Sequence, residues 1–225
     1  MSPTTKGSEF KRVVIFLFAR THEMNKDKII LDLCGGTGAW SKPYKDAGYD
    51  VRVITHPAND VIQYKEYKAF IEKVYGILCA PTCTHFSLAR TTAKTPRDLA
   101  GAMVVVRACL DIVEDCRANG NLKFWALENP VGYLRQMIGK PPLTFNPIDY
   151  GANYTKKTDL WGYYNEPKKS PRKMTDEEKA KCAINNRDLP KLPEGYILPS
   201  DFKAQQARRS ITDSYFATAF YKANK

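Results

Sequence analysis

The sequence predicts an α/β domain with a mostly parallel sheet. Three features carry that expectation. Short apolar runs of strand length alternate with proline-free stretches of helical length. A glycine cluster, Gly35-Gly36-Thr37-Gly38, closes the first clear run. Turn residues close two later ones, Pro81 after the third and Asn129-Pro130 after the fourth.

The elements follow in order. Met1 to about Ser8 is polar and is expected to lack fixed structure. Val13-Val14-Ile15-Phe16-Leu17-Phe18 reads as an early strand or helix. It falls short of the ~18 residues of a membrane span. It lacks a small-residue cleavage site, so no signal peptide is expected. Lys28 to Leu33 reads as a buried parallel strand. Trp40 to Ala47 looks helical, Asp50 to Ile54 reads as a second strand, and Tyr67 to Val74 as a helix. Tyr75 to Ala80 is a third strand, and Arg97 to Asn119 is the longest helix, amphipathic and proline-free. Phe124 to Glu128 is a fourth strand, ended by Asn129-Pro130, and Val131 to Ile138 is a short helix. Residues 163–206 differ: they are rich in Lys, Pro and acidic residues and poor in periodic apolar positions. An irregular insert is expected there, with a short helix near Thr175–Ala183, where Thr175 and Glu178 have capping-box spacing. Ser210 to Ala223 reads as a final helix. The expected division is a main domain of 9–162 with 207–225, and a small insert of 163–206.

Composition narrows the function. The 225 residues suffice for one such domain. The formal charge of +11 points to an anionic partner. The surplus is uneven, since residues 153–225 hold 15 Lys+Arg against 9 Asp+Glu. The 6 cysteines form no CxxC pair, so neither a metal site nor a disulfide framework is expected. A reducing cytoplasm fits them.

Three segments carry chemistry, all at predicted strand ends. Asp32-Leu33-Cys34-Gly35-Gly36-Thr37-Gly38 is a glycine-rich strand-to-helix turn, which lets backbone approach a nucleotide-like cofactor. It matches neither GxGxxG nor a phosphate loop with its lysine. Pro81-Thr82-Cys83-Thr84-His85-Phe86-Ser87 places a cysteine beyond the third strand, with Arg90 and Lys94 nearby in sequence. A lone cysteine is more often inert, but one on a stiff loop near positive charge is a candidate nucleophile. Glu128-Asn129-Pro130 puts a carboxylate at the end of the fourth strand. Ligands of open α/β sheets bind at that edge, and three such segments converging there are hard to explain as packing.

These segments resemble the motifs of the cytosine-C5 DNA methyltransferase family, and most closely its compact phage members. The block Asp32–Ser41 resembles the family's cofactor motif. Pro81 to Ser87 resembles its catalytic loop, in which proline-cysteine-glutamine, any residue, then phenylalanine-serine is usual. Glu128-Asn129-Pro130 resembles its glutamate-asparagine-valine motif. Tyr150 to Gly162 resembles the segment that carries a glutamine and two arginines, and Arg209-Ser210-Ile211-Thr212 resembles the closing motif. The likeness covers most of residues 28–162 and 207–223.

The resemblance implies a Rossmann-like S-adenosylmethionine-dependent methyltransferase fold with a small irregular recognition insert. It implies Cys83 as covalent nucleophile, Glu128 as the group that holds the cytosine ring with a raised pKa, and Lys156 as a catalytic partner. It implies cofactor contacts from Asp32, Cys34, Gly35, Gly36, Thr37, Gly38, Trp40, Thr55, Asp60, Val61, Pro81, Ser210 and Thr212. Substrate contacts are implied for Ser87, Arg90, Asn129, Pro130, Lys157 and Thr158. The implied partner is double-stranded DNA, bound by a cytoplasmic monomer. The chain departs from the pattern at several places. Thr82 and Thr84 flank the cysteine where proline and glutamine are usual. Tyr154 replaces the glutamine, and Lys156 and Thr158 stand for the arginines. Lysine is no planar fork. Thr55-His56 stands where an acidic residue usually meets the ribose. Two alternatives stay open: a non-catalytic DNA-binding or regulatory protein on this fold, and a tRNA substrate.

Overall fold

The computed structural model describes residues 22–91, 93–180, 189–200 and 202–225. The segments Met1–Ser8 and Val13–Phe18, Cys182, and residues 181–183 of the expected short helix lie outside these. Six strands form one sheet in the order β2-β1-β3-β4-β6-β5. They are β1 (Ile29–Leu33), β2 (Asp50–Ile54), β3 (Val74–Cys79), β4 (Phe124–Pro130), β5 (Leu143–Phe145) and β6 (Thr158–Tyr163). The first four run parallel, and β6 runs antiparallel to both β4 and β5. The protein is thus α/β with a mostly parallel sheet.

Every residue of β1 is buried, as expected of a strand covered on both faces. One face is covered by α2 (Leu99–Asn119), whose Val106, Cys109, Val113 and Cys116 are fully buried among Leu31, Leu33, Ile77 and Cys79. Asp98 starts this helix by accepting the Gly101 amide at 2.8 Å. The other face holds an aromatic cluster between α1 (Lys42–Asp46) and a C-terminal helix, with Trp40, Tyr44, Phe124, Phe216 and Phe220 in contact.

The differences from the sequence reading have physical causes. The helix expected at Tyr67–Val74 is a 3-10 helix, Glu66–Lys73, broken at Phe70, and Val74 already starts β3. Strand β4 does not stop before Asn129-Pro130, because Asn129 and Pro130 pair with Asp159 and Thr158 of β6. Strands β5 and β6 were not expected. The helix after β4 is the single turn and a half of α3, Leu134–Ile138. The final helix starts later than Ser210, as α6 (Ser214–Ala223), and a further helix, α5 (Ala204–Ser210), begins within the stretch expected to be irregular. Asp213 makes the new start by accepting the amides of Tyr215 and Phe216.

In the insert, α4 spans Asp176–Ala180. Its capping box is formed: Glu178 N–H donates to Thr175 Oγ1 at 3.2 Å, and Thr175 N–H donates to Glu178 Oε2 at 2.9 Å. Among the described residues no helix is long and apolar enough to cross a membrane, and no cluster of metal-binding side chains occurs.

Candidate active site

One row of the sheet fixes the site. Ile54, Leu33, Cys79 and Leu127 stand side by side in register across β2, β1, β3 and β4. The chain leaves this row as the glycine turn after β1 and the cysteine loop after β3. Strand order reverses direction between β1 and β3, and ligands of open α/β sheets bind at such a switch point.

The glycine turn is strained in a useful way. Cys34, Gly36 and Gly38 all have positive φ, 59°, 56° and 69°. Gly35 lies against the Asp32 carboxylate so closely that a Cβ there would strike it. Asp32 is fully buried and accepts the Ser41 hydroxyl at 2.5 Å on Oδ2. Among the described residues its Oδ1 has no hydrogen-bond partner. Burial lifts its pKa to about 6 despite the Ser41 bonds.

The other residues expected at the cofactor are placed variously. The Cys34 thiol turns to Cys109, 3.9 Å away, and this contact with burial holds it well above the usual thiol range. Trp40 packs into the aromatic core, 2% exposed, rather than beside the turn's opening. Thr37 is half-buried in the turn, Thr55 half-buried at the end of β2, and Asp60 exposed, accepting the Ile62 amide. Val61 is buried. Ser210 is an exposed residue whose hydroxyl donates to Ala207 O, and it ends α5 rather than opening a helix.

The cysteine loop is stitched to its neighbours. Cys83 O accepts the amides of Phe86 and Ser87 at 3.0 and 2.8 Å. Phe86 is fully buried and anchors the loop, and Phe86 O accepts the Tyr133 amide. Asn129, also fully buried, donates from Nδ2 to Pro81 O at 2.9 Å. Pro81 is buried beneath, and Ser87 bridges to Gly132. Arg90 donates to Thr95 Oγ1 farther along the loop.

The third side of the site comes from the unexpected strand. Because β6 runs antiparallel, it begins where the parallel strands end. Lys157 O accepts the Val131 amide, and the buried Thr158 donates its hydroxyl to Lys156 O. Lys156 therefore arrives beside Glu128, Nζ to Oε1 3.6 Å, with the side chains 19% and 12% exposed. Glu128, Lys156, Tyr154, Thr158, Thr212 and Asp213 line one narrow crevice. Cys83 feels this pair: burial raises its pKa most, Lys156 pulls it down and Glu128 raises it.

The structure thus brings Cys83, Glu128 and Lys156 together at one sheet edge. Thr158 acts as a support for Lys156, and Pro130 pairs with it in the sheet. The sequence reading missed Asp213 in this crevice. The signal was present as Asp213-Ser214-Tyr215-Phe216, an N-cap residue ahead of an apolar helix start. No protein-family model and no curated protein matches this chain.

Proposed function

We propose that the protein transfers a methyl group from S-adenosylmethionine to carbon 5 of cytosine in DNA, with Cys83 as nucleophile. The observation that supports it is the meeting of Cys83, Glu128 and Lys156 on the sheet edge from which the glycine turn also leaves. Inert cysteines are not usually flanked by an ammonium and a carboxylate at a ligand-binding sheet edge.

The turn fits the cofactor. A buried acceptor with no partner, Asp32 Oδ1, suits a ligand carrying donors and positive charge. Gly36 has open space where a side chain would stand, so backbone can face the ligand. Asp32, Gly35, Gly36, Thr37 and Gly38 would hold the group. When bound, it supplies the methyl group that carbon 5 takes up.

The residues of the chain do the rest. The target base must leave the helix stack to reach a cysteine at the floor of this edge. Glu128 holds the ring through N3 and the exocyclic amine, and delivers a proton to N3. Cys83 Sγ forms a bond to carbon 6, which moves an electron pair onto carbon 5. Lys156 balances the charge of thiolate and carboxylate. After methylation the carbon 5 proton leaves to solvent water, N3 returns its proton to Glu128, the Sγ–C6 bond breaks, and the ring recovers its double bond. The surplus of cations, +11 overall, favours a polyanionic substrate through phosphate contacts.

The test is methyl transfer from labelled S-adenosylmethionine to unmodified DNA, with tRNA in parallel, using wild type and Cys83→Ser. Digested products are read by mass spectrometry. The expected product is 5-methylcytosine in DNA, lost in Cys83→Ser. Cofactor binding with no methylated base would replace this reading by the non-catalytic one.

A further inference from the structure

His85 follows Cys83 by two positions and is half-buried on the same loop. The chemistry proposed for the site gives it no task, yet both its ring and its backbone are held. The Asp98 amide donates to His85 Nδ1 at 2.8 Å, across 13 positions of chain. The Arg97 guanidinium donates to His85 O at 2.7 Å. It also lies 4.8 Å over the ring of Tyr133, whose amide donates to Phe86 O. One residue thus closes the loop at its neck, with its ring on one partner and its carbonyl on the next.

The start of α2 shows what the ring supplies. Asp98 is the N-cap of that helix, and its side chain accepts the Gly101 amide at 2.8 Å. The amide of an N-cap residue is itself received, in a full capping box, by a Glu or Gln side chain at the third helical position. Here that position is Gly101, where even a Cβ would strike the Asp98 carboxylate. The helix cannot complete the box from its own first turn. His85 provides the missing acceptor from the Cys83 loop. Accepting on Nδ1 puts the ring proton on Nε2, so neither nitrogen is free to serve as a base.

We propose that His85 is a positioning residue of the active site: by completing the cap of α2 on Nδ1 while its carbonyl holds Arg97, it fixes the Cys83 loop to the start of that helix. The role rests on the reading of Cys83 as nucleophile. Phe86 and Ser87 already tie the loop to Tyr133 and Gly132, just after β4. His85 adds the tie to α2, and the two together give Cys83 one position at the sheet edge. Removing the ring acceptor should leave the first tie and release the second.

The test is the pH dependence of Cys83 alkylation by iodoacetamide on the full chain, with peptide mass spectrometry separating Cys83 from the other cysteines. His85→Leu removes the acceptor. The alkylation rate of Cys83 should rise about fivefold at every pH as the loop loosens, with its midpoint in place. The rate at Cys34, also half-buried but on the glycine turn, should stay at the wild-type value. His85→Asn carries an amide oxygen where Nδ1 stands and should restore the wild-type rate at Cys83. His85→Gln, whose oxygen lies one bond farther out, should not. An unchanged Cys83 rate in a folded His85→Leu, checked by circular dichroism and melting, overturns the proposal. A rate that rises equally at Cys34 also overturns it, and so does a His85→Asn that fails to restore Cys83. Should His85→Leu not fold, Arg97→Met opens the carbonyl half of the neck, and an unchanged Cys83 rate there overturns it equally. Alkylation needs neither cofactor nor nucleic acid. A wild type without methyl transfer would strike the methyltransferase reading, while the alkylation result would still decide the role of His85.

Discussion

Lys156 Nζ stands 3.6 Å from Glu128 Oε1 because an antiparallel strand begins where four parallel ones end. The pair is mostly shielded, at 19% and 12% side-chain exposure, so its charges act over short distances with little screening. Neither residue could have been brought to the other by a parallel β6, whose start would lie at the opposite edge.

The first prediction concerns that ammonium. Lys156 lowers the Cys83 pKa against burial and Glu128, which raise it. Lys156→Met should therefore move the alkylation midpoint of Cys83 up, and methyl transfer at neutral pH should fall on the order of 10²-fold or more. Lys156→Arg keeps the charge and should keep the midpoint near wild type. A midpoint that stays put in Lys156→Met would mean that the ammonium does not serve the thiol.

The second prediction concerns Asp32 and pH. Burial raises its folded pKa to about 6, above the ordinary carboxylate value. Between roughly pH 4 and 6 the folded protein holds a proton that the unfolded chain has released. Stability should then fall as pH rises through that window and level off above it, by on the order of 2 kcal/mol. Asp32→Asn can still accept the Ser41 hydroxyl, so it should flatten this dependence and stabilise the protein at pH 7. It should also weaken S-adenosylmethionine binding. Urea unfolding at pH 4.5, 6 and 7.5, with calorimetry for the cofactor, reads both effects. A variant that loses stability at pH 7 would contradict the first.

Much of this was legible in the sequence, and the gaps are instructive. Strands β1, β3 and β4 were readable because each is a compact apolar run ended by glycine, proline or asparagine, as at Cys79-Ala80-Pro81. The glycine turn, Cys83 and Glu128 were readable because strand ends in a parallel sheet share one edge. Strand β6 was not, because Thr158-Asp159-Leu160-Trp161-Gly162-Tyr163 places a charged residue within an apolar run. Asp159 is buried there only because Arg135 meets it from α3. Trp40 was expected at the cofactor from the resemblance, and it packs into the aromatic core. Its neighbours Phe216 and Phe220 lie at the far end of the chain, and no local pattern announces such a contact. Asp213 was passed over because a helix read from Ser210 placed it inside the element rather than at the start of α6.

The third prediction follows from that buried acid. Asp159 is fully buried, and Arg135 donates to it from two nitrogens at 2.6 and 2.5 Å, with Thr144 donating at 2.7 Å. Arg135→Met leaves the charge uncompensated beneath the Asn129–Asp159 pairing. The cost should be about 2–3 kcal/mol, at the lower end for a buried pair because Arg135 is 35% exposed. Adding Asp159→Leu should restore much of it, since an apolar pair can replace a buried ionic one. Chemical denaturation of the two variants measures this, and a double variant no better than the single would point to the Thr144 bond instead.

The last prediction separates holding the loop from tuning its thiol. Gln206 of α5 donates from Nε2 to Thr84 Oγ1 at 2.9 Å, beside Cys83. The same helix sends Arg208 to the carbonyls of Leu189 and Pro190 in the insert. Helix α5 thereby clasps the Cys83 loop on one side and the insert on the other. Gln206→Leu removes a neutral bond worth about 1 kcal/mol and no charge. The alkylation rate of Cys83 should rise at every pH as the loop loosens, while its midpoint stays where it is. Thr84→Val should do the same, and the double variant should add little to either. Charge variants at Lys156 move the midpoint instead, so the two classes should be distinguishable on one plot of rate against pH. If Gln206→Leu shifts the midpoint, the loop and the charge network are not separate, and the clasp itself must set the position of Cys83 relative to Lys156.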